Sequence, residues 1–166
     1  MPEDYDIEPS ELAASFRELQ AKYHPDRFVN SDEQQRRVAV QTTGLINEAN
    51  ETLKSSRLRA RYMLILRGID FDDEIDTTSD AMFLMHQMEM REALEDVPNA
   101  NDPLARIDDI AQDVEAQMNA LKEDFVDNFE AGNYSEAKED VLKMKFFERL
   151  CQEVKALTEK LEDELF

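Results

Sequence analysis

Apolar residues recur along this chain at steps of three and four, so the pattern predicts helices rather than strands. Leu12, Phe16, Leu19 and Tyr23 mark one face of a first helix that starts at Pro9, in first position behind Glu8, and runs to about His24. Pro25 ends it, because proline lacks a backbone N–H and pushes the preceding residue out of the α region. Ser31-Asp32-Glu33-Gln34 then reads as a capping box, with Ser31 as N-cap and Gln34 three residues on. The second helix carries Val38, Gln41 or Thr42, Leu45 or Ile46, Ala49 and Leu53 as its stripe and breaks at Ser55-Ser56. Two helices joined by so short a loop are expected to lie antiparallel. A third piece over 57–67 holds Leu58, Tyr62, Leu64 and Leu66, with Gly68 as its stop.

Residues 69–79 read as linker. Asp70, Asp72, Asp73, Glu74 and Asp76 interrupt any apolar period, and Thr77-Thr78-Ser79 offers a cap for the helix that follows. That helix, from Asp80 to about Val97, has too many apolar residues for one stripe. At 100° per residue Phe83, Met90 and Leu94 fall within about 40° of one another, whereas Leu84, Met85 and Met88 lie roughly 100° to 200° from Phe83. Two apolar faces on one helix imply two things to touch: a central helix buried on both sides, or a core helix with a docking face. Glu89, Glu92 and Asp96 flank the second face, where burial of unpaired carboxylates would be costly, and methionine suits an adaptable contact surface.

Two long helices complete the pattern. Asp102-Pro103 supplies an N-cap and first-turn proline, followed by Leu104, Ile107, Ala111, Val114, Met118, Leu121 and Phe125, with Gly132 as terminator. Ser135 is expected to open the last helix, with Ala137, Val141, Met144, Cys151, Val154, Leu161 and Leu165 on its stripe, Phe147 or Glu148 and Leu157 or Thr158 between them, and Phe146 beside it. The fold expected is all-α: a helical hairpin followed by a three-helix bundle.

Composition agrees with that picture and sharpens the partition. The 166 residues include three glycines and five prolines, too few for a fold built on tight β-turns. Net charge is −20, but residues 1–67 hold ten Lys/Arg against eleven Asp/Glu, leaving nine against twenty-eight for the remainder. The two parts are electrostatically different objects, and a region of net −19 repels nucleic acid. No run has the length of a membrane span, the acidic N-terminus is unlike a signal peptide, and one cysteine, Cys151, suits a reducing cytoplasm.

Candidate chemistry is sparse. His24 and Asp26 flank Pro25 in the loop and could in principle exchange a proton, but no third orienting group, nucleophile or glycine-rich phosphate loop accompanies them. His24, His86 and Cys151 are far apart in sequence, so no metal site is expected, and an iron–sulfur cluster normally needs several thiolates. Catalysis and a resident cofactor are therefore not expected. A fixed His-Pro-Asp loop, with Arg17, Lys22 and Arg27 as a basic strip, suits a contact on a partner.

An exposed His24-Pro25-Asp26 loop between two amphipathic helices resembles the J-domain of DnaJ-type co-chaperones. Tyr23-His24-Pro25-Asp26-Arg27-Phe28, Ile46-Asn47-Glu48-Ala49 with Leu53, Arg59-Ala60-Arg61-Tyr62-Met63-Leu64 and Phe83-Leu84-Met85 together resemble the HscB family, the J-proteins of bacterial iron–sulfur cluster assembly. The resemblance implies a J-domain over 1–68 and a scaffold-binding domain over 80–166. It implies two partners: a DnaK-type chaperone, HscA, met by the His-Pro-Asp loop, and the cluster scaffold protein, IscU, met by Leu84, Met85, Met88, Glu89, Glu92, Asp96 and Phe146. Met88 and Asp96 stand where the family pattern has Leu and Glu, with their character kept. The alternatives are a general J-protein for unfolded clients, which would be expected to carry zinc-finger cysteines or a Gly/Phe-rich linker, and a helical structural adaptor that ignores the loop.

One departure shapes the expectation for the hairpin. The family opens with a short aromatic-rich helix and a Gly-Leu-Pro-like turn, and Met1-Pro2-Glu3-Asp4-Tyr5 carries neither. A truncated sequence or a late start codon is expected, with apolar surface on the hairpin left uncovered.

Overall fold

The computed structural model describes residues 4–72 and 75–165, with the side chain of Leu165 excepted. Asp73 and Glu74 of the expected linker, Met1 to Glu3, and the Leu165 side chain of the last stripe lie outside the described residues. The order of elements is α1 (Pro9–Tyr23), a 3-10 turn (Pro25–Phe28), α2 (Glu33–Lys54), α3 (Ser56–Leu66), α4 (Ala81–Glu95), a second 3-10 turn (Val97–Asn99), α5 (Pro103–Glu130) and α6 (Tyr134–Leu165). No strand occurs among the described residues. The chain divides into two compact units, residues 1–67 and 68–166.

In the first unit α1 packs on α2 and α2 on α3. α1 stops at Tyr23 because His24, at φ −57° and ψ 131°, has the extended ψ that a following proline imposes. The cap of α2 is one residue later than its sequence suggested. Asp32 is the N-cap and accepts a hydrogen bond from the Gln35 N–H at 2.8 Å, while the Ser31 N–H closes the preceding turn onto the Phe28 carbonyl at 3.0 Å. The buried face of α2 is also rotated from the expected stripe. Ala39 and Asn50 are buried, whereas Val38 and Leu45 are 52% and 66% exposed. Neither Ala39 nor Asn50 is on the expected stripe; each is the immediate neighbour of an expected position, about 100° round the helix, and the packing of α2 against α1 and α3 decides which side is buried.

No helix precedes Pro9 among the described residues, and Tyr5 is buried instead. Its carbonyl accepts from Arg59 Nε at 2.6 Å, and the Arg59 guanidinium lies over its ring at 5.0 Å. Apolar side chains are exposed on this unit: Leu19 of α1, Leu45 of α2, and Tyr62 and Ile65 of α3. A groove of about 260 Å³ runs between α1 and α2, past Phe16, Leu19, Leu45 and Ile46.

In the second unit α5 and α6 form a long antiparallel pair and α4 packs on both. Ile107, Ile110, Val114, Met118 and Phe125 of α5 meet Ala137, Val141, Met144, Phe147, Leu150 and Val154 of α6 in the core. Cys151, expected on that stripe, is exposed, and Leu150 is fully buried in its place. From Phe147 the core sequence proceeds by three to Leu150 and by four to Val154, and a residue at 151 is turned about 100° away from Leu150. Gly132 closes α5 at φ 78°, a left-handed position that glycine adopts without strain. α6 begins at Tyr134, one residue before the expected Ser135.

Asp70, Phe71, Asp76 and Thr78 of the expected linker are tethered along α6. Lys138 Nζ lies 2.8 Å from the Asp76 carboxylate, donates to the Asp70 carbonyl at 2.8 Å and sits over the Phe71 ring. Thr78 is buried and hydrogen-bonds Glu139. Asp80, rather than the preceding threonines, caps α4: it accepts from the Phe83 N–H at 3.0 Å and pairs with Lys143 at 2.8 Å. The Thr78 hydroxyl accepts from the Asp80 N–H, holding the cap in place.

Candidate functional site

The first candidate surface is the turn between α1 and α2. Pro25 occupies the first position of the 3-10 turn, where a missing N–H costs nothing, and the Arg27 N–H closes onto the His24 carbonyl at 3.0 Å. His24 Nδ1 accepts from the Asp26 N–H at 3.3 Å, which leaves Nε2 as the protonated ring nitrogen of the neutral imidazole. The side chains of His24 and Asp26 are 51% and 86% exposed, and Nδ1 stands 3.6 Å from the Asp26 carboxylate. Two polar groups are thus held out to solvent at fixed separation, on a turn with no enclosing cavity. That geometry suits recognition by a docked surface and gives little help to proton transfer, which needs an oriented, water-excluded site.

Arg27 folds back to donate from Nη1 to the Ala21 carbonyl at 2.7 Å. Ala21 lies one helical turn after Arg17, so Arg17 and Arg27 share a side of α1. Lys22 lies about 140° from Arg17 on the wheel and covers the Tyr23 ring at 5.3 Å. The three cations therefore flank the loop on two sides instead of forming one strip. Tyr23 is anchored through its carbonyl, which accepts from Thr43 Oγ1 at 3.0 Å and ties the end of α1 to α2.

The second candidate surface is on α4. Its core face holds Met90 and Leu94, both buried, and half-buried Phe83. On the opposite face Met85 and Met88 are 62% and 64% exposed, so α4 is not a helix buried on both sides. Leu84 is half-buried at the margin, and Glu89, Glu92 and Asp96 are exposed. Leu84, Met85, Met88, Glu89, Glu92 and Asp96 span about 140° of the helix surface. Phe146 of α6 is half-buried and meets Phe83 edge to face at 5.6 Å, joining its helix to the core side of α4. The structure thus brings the six α4 residues onto one face and sets Phe146 against the core side of the same helix.

Two residues of this surface escaped the sequence reading. Met82, the most exposed large apolar side chain of α4 at 81%, lies three positions before Met85 and extends the methionine row. His86 edges the same face, with Nε2 3.0 Å from Gln117 Oε1 of α5 and Nδ1 3.7 Å from Glu89. The three-residue spacing of Met82 to Met85 and of His86 to Glu89 could have indicated both.

The second unit also carries the perturbed carboxylates. The ammonium groups of Lys138 and Lys143 hold Asp76 and Asp80 below the usual carboxylate range. Burial pushes Asp140 up, against the opposing hydrogen bond from Asn128 at 2.8 Å. Burial also raises the Cys151 thiol. None of these groups belongs to a convergent cluster: no three His, Cys, Asp or Glu side chains are placed to hold a metal ion among the described residues. No helix among them is long and apolar enough to cross a membrane.

An all-α chain with a His-Pro-Asp turn on a helical hairpin, followed by a helical bundle, has the build of a J-type co-chaperone. Residues 79–155 match the family described as the HSCB C-terminal oligomerisation domain. The co-chaperone protein HscB homolog of Aliivibrio fischeri strain MJ11 is 39% identical over 97% of this chain and 94% of its own. That of Shewanella sp. strain ANA-3 is 40% identical over 96% and 93%. The solved chaperone HscB of Vibrio cholerae superposes with a TM-score of 0.88 at 35% identity, covering 100% of this chain and 95% of its own. Human co-chaperone protein HscB gives 0.83 at 26% identity over 93% and 77%. The chain belongs to the HscB family of co-chaperone proteins.

Proposed function

We propose that this protein is a two-ended adaptor that delivers the iron–sulfur scaffold protein IscU to the DnaK-type chaperone HscA and stimulates that chaperone's ATPase. The proposed J-domain is 1–68, the proposed scaffold-binding domain is 80–166, and 69–79 joins them. His24, Pro25, Asp26 and Arg27, flanked by Arg17 and Lys22, contact the ATPase: Pro25 fixes the turn, Asp26 offers an exposed acceptor and His24 a donor. Leu84, Met85, Met88 and Phe146 supply the apolar contact for the scaffold, and Glu89, Glu92 and Asp96 rim it with negative charge that steers a basic partner. The protein itself catalyses nothing in this reading, and the cluster is cargo held by the scaffold. The cytoplasm is the compartment proposed.

The observation that carries the reading is the methionine face of α4, two-thirds exposed and acid-rimmed in a helix whose other side is core, within a chain of the HscB family. Isothermal titration against purified scaffold tests it. Leu84→Ala, Met85→Ala and Phe146→Ala are expected to lose binding while His24→Gln binds as wild type. Undiminished binding by the α4 variants would refute the assignment.

A further inference from the structure

Asp80 opens α4, and both oxygens of its carboxylate are committed. Oδ1 accepts from the Phe83 N–H at 3.0 Å, as an N-cap does, and Oδ2 receives the Lys143 ammonium of α6 at 2.8 Å. The same ammonium lies over the Phe83 ring, 5.4 Å from its centroid. Phe83 in turn meets Phe146 and Phe147, which follow Lys143 by one turn on α6. One side chain of α6 thus holds both the cap of α4 and the aromatic contact of its first turn. The pair is partly shielded, with Lys143 20% and Asp80 38% exposed, whereas a second α4–α6 pair, Arg91 with Glu153, is longer at 3.6 Å and 42% and 46% exposed.

We propose that Lys143 is a positioning residue of the docking face: it fixes the start of α4, and with it Met82, Leu84 and Met85, for the docked protein. The inference rests on the docking function proposed above for α4. Helix ends fray, and these three side chains stand within five residues of the Asp80 cap. A helix start that must be ordered as the partner docks lowers affinity, whereas one already held by α6 does not. Lys143 acts through Asp80 and Phe83 and does not itself touch the docked protein.

Charge and position have opposite consequences here. Residues 68–166 hold nine Lys/Arg against twenty-eight Asp/Glu, a field that favours a basic partner, so removing one cation would strengthen docking if the field alone mattered. Loss of position weakens it. Lys138 supplies a matched control on the same helix. It too holds an aspartate at 2.8 Å and lies over a phenylalanine ring, but its partners Asp76, Asp70 and Phe71 all precede α4.

The test is isothermal titration of the full chain with purified cluster-free scaffold protein, with urea denaturation of every variant alongside. Lys143→Met is expected to bind about fivefold more weakly than wild type, and so is Asp80→Asn, which keeps an N-cap acceptor but loses the ionic tie. The double variant should bind no more weakly than either, because both changes break one tie. Lys143→Arg and Lys138→Met are expected to stay within about twofold of wild type. Lost stability alone does not imitate this pattern, since a variant that remains folded keeps its affinity, and the urea curves show which variants are folded. If Lys143→Met fails to fold, Asp80→Asn decides, and its binding as wild type would overturn the proposal. Binding by folded Lys143→Met as tight as wild type or tighter would overturn the proposal while leaving the docking face intact, and so would equal weakening by Lys138→Met. Absence of wild-type binding would overturn the docking assignment and this proposal with it.

Discussion

Phe83 and Phe146 meet edge to face, with ring centroids 5.6 Å apart and planes at 83°. The contact lies on the core side of α4, because Phe83 also meets the buried Phe147 at 5.8 Å. Phe146 is therefore expected to serve stability beside the docking role proposed for it. Phe146→Ala is expected to destabilise the second unit by about 2 kcal/mol, through lost burial and the lost aromatic pair. Met85→Ala and Met88→Ala should each stay within about 0.5 kcal/mol of wild type, as exposed positions do. Urea denaturation of each variant checks the contrast. Equal destabilisation by all three would show that the methionines are core after all.

The loop should separate function from folding even more sharply. His24 and Asp26 are half and almost fully exposed, so His24→Gln and Asp26→Asn are expected to leave thermal stability unchanged within about 0.5 kcal/mol. Both should lose stimulation of the partner ATPase. A melting temperature that falls with activity would assign these residues to the fold.

Acid should act on the second unit through Asp76 and Asp80. Their folded pKa values are lowered by Lys138 and Lys143, so the stability they contribute is full above the ordinary carboxylate pKa of about 4 and is lost as pH falls through the folded values. Lys143→Met is expected to flatten the loss of stability between about pH 4 and pH 2. Thermal scans across that range provide the measurement.

Asp140 has the opposite sign. Burial raises its folded pKa, so its contribution favours the fold below the unfolded carboxylate range and disappears as pH rises through the folded value. Asp140→Asn keeps an acceptor for Asn128 and removes the buried charge. The variant should melt higher than wild type at neutral pH, and the difference should vanish near pH 3, where wild type is protonated as well.

Much of this architecture is legible where chain chemistry is local. Pro25 ending α1, Asp102-Pro103 opening α5 and Gly132 closing it each act within one turn, and each stands where sequence places it. The His-Pro-Asp turn and the second apolar face of α4 were legible for the same reason. What escaped depends on packing. Ser31 and Asp32 are both good caps, and only the closure of the Phe28 turn onto Ser31 decides for Asp32. A heptad count cannot separate Leu150 from Cys151, because neighbouring positions differ by only about 100° and the partner helix makes the choice. His86 read as an isolated histidine until α5 brought Gln117 to it.

Steady-state ATP hydrolysis by the DnaK-type partner, with and without scaffold protein, tests the two-ended account most directly. Wild type is expected to stimulate hydrolysis, and scaffold to raise it further. Met85→Ala/Met88→Ala should keep the basal stimulation and lose the scaffold-dependent part, whereas His24→Gln should lose both while still binding scaffold. Undiminished stimulation by His24→Gln would contradict the account.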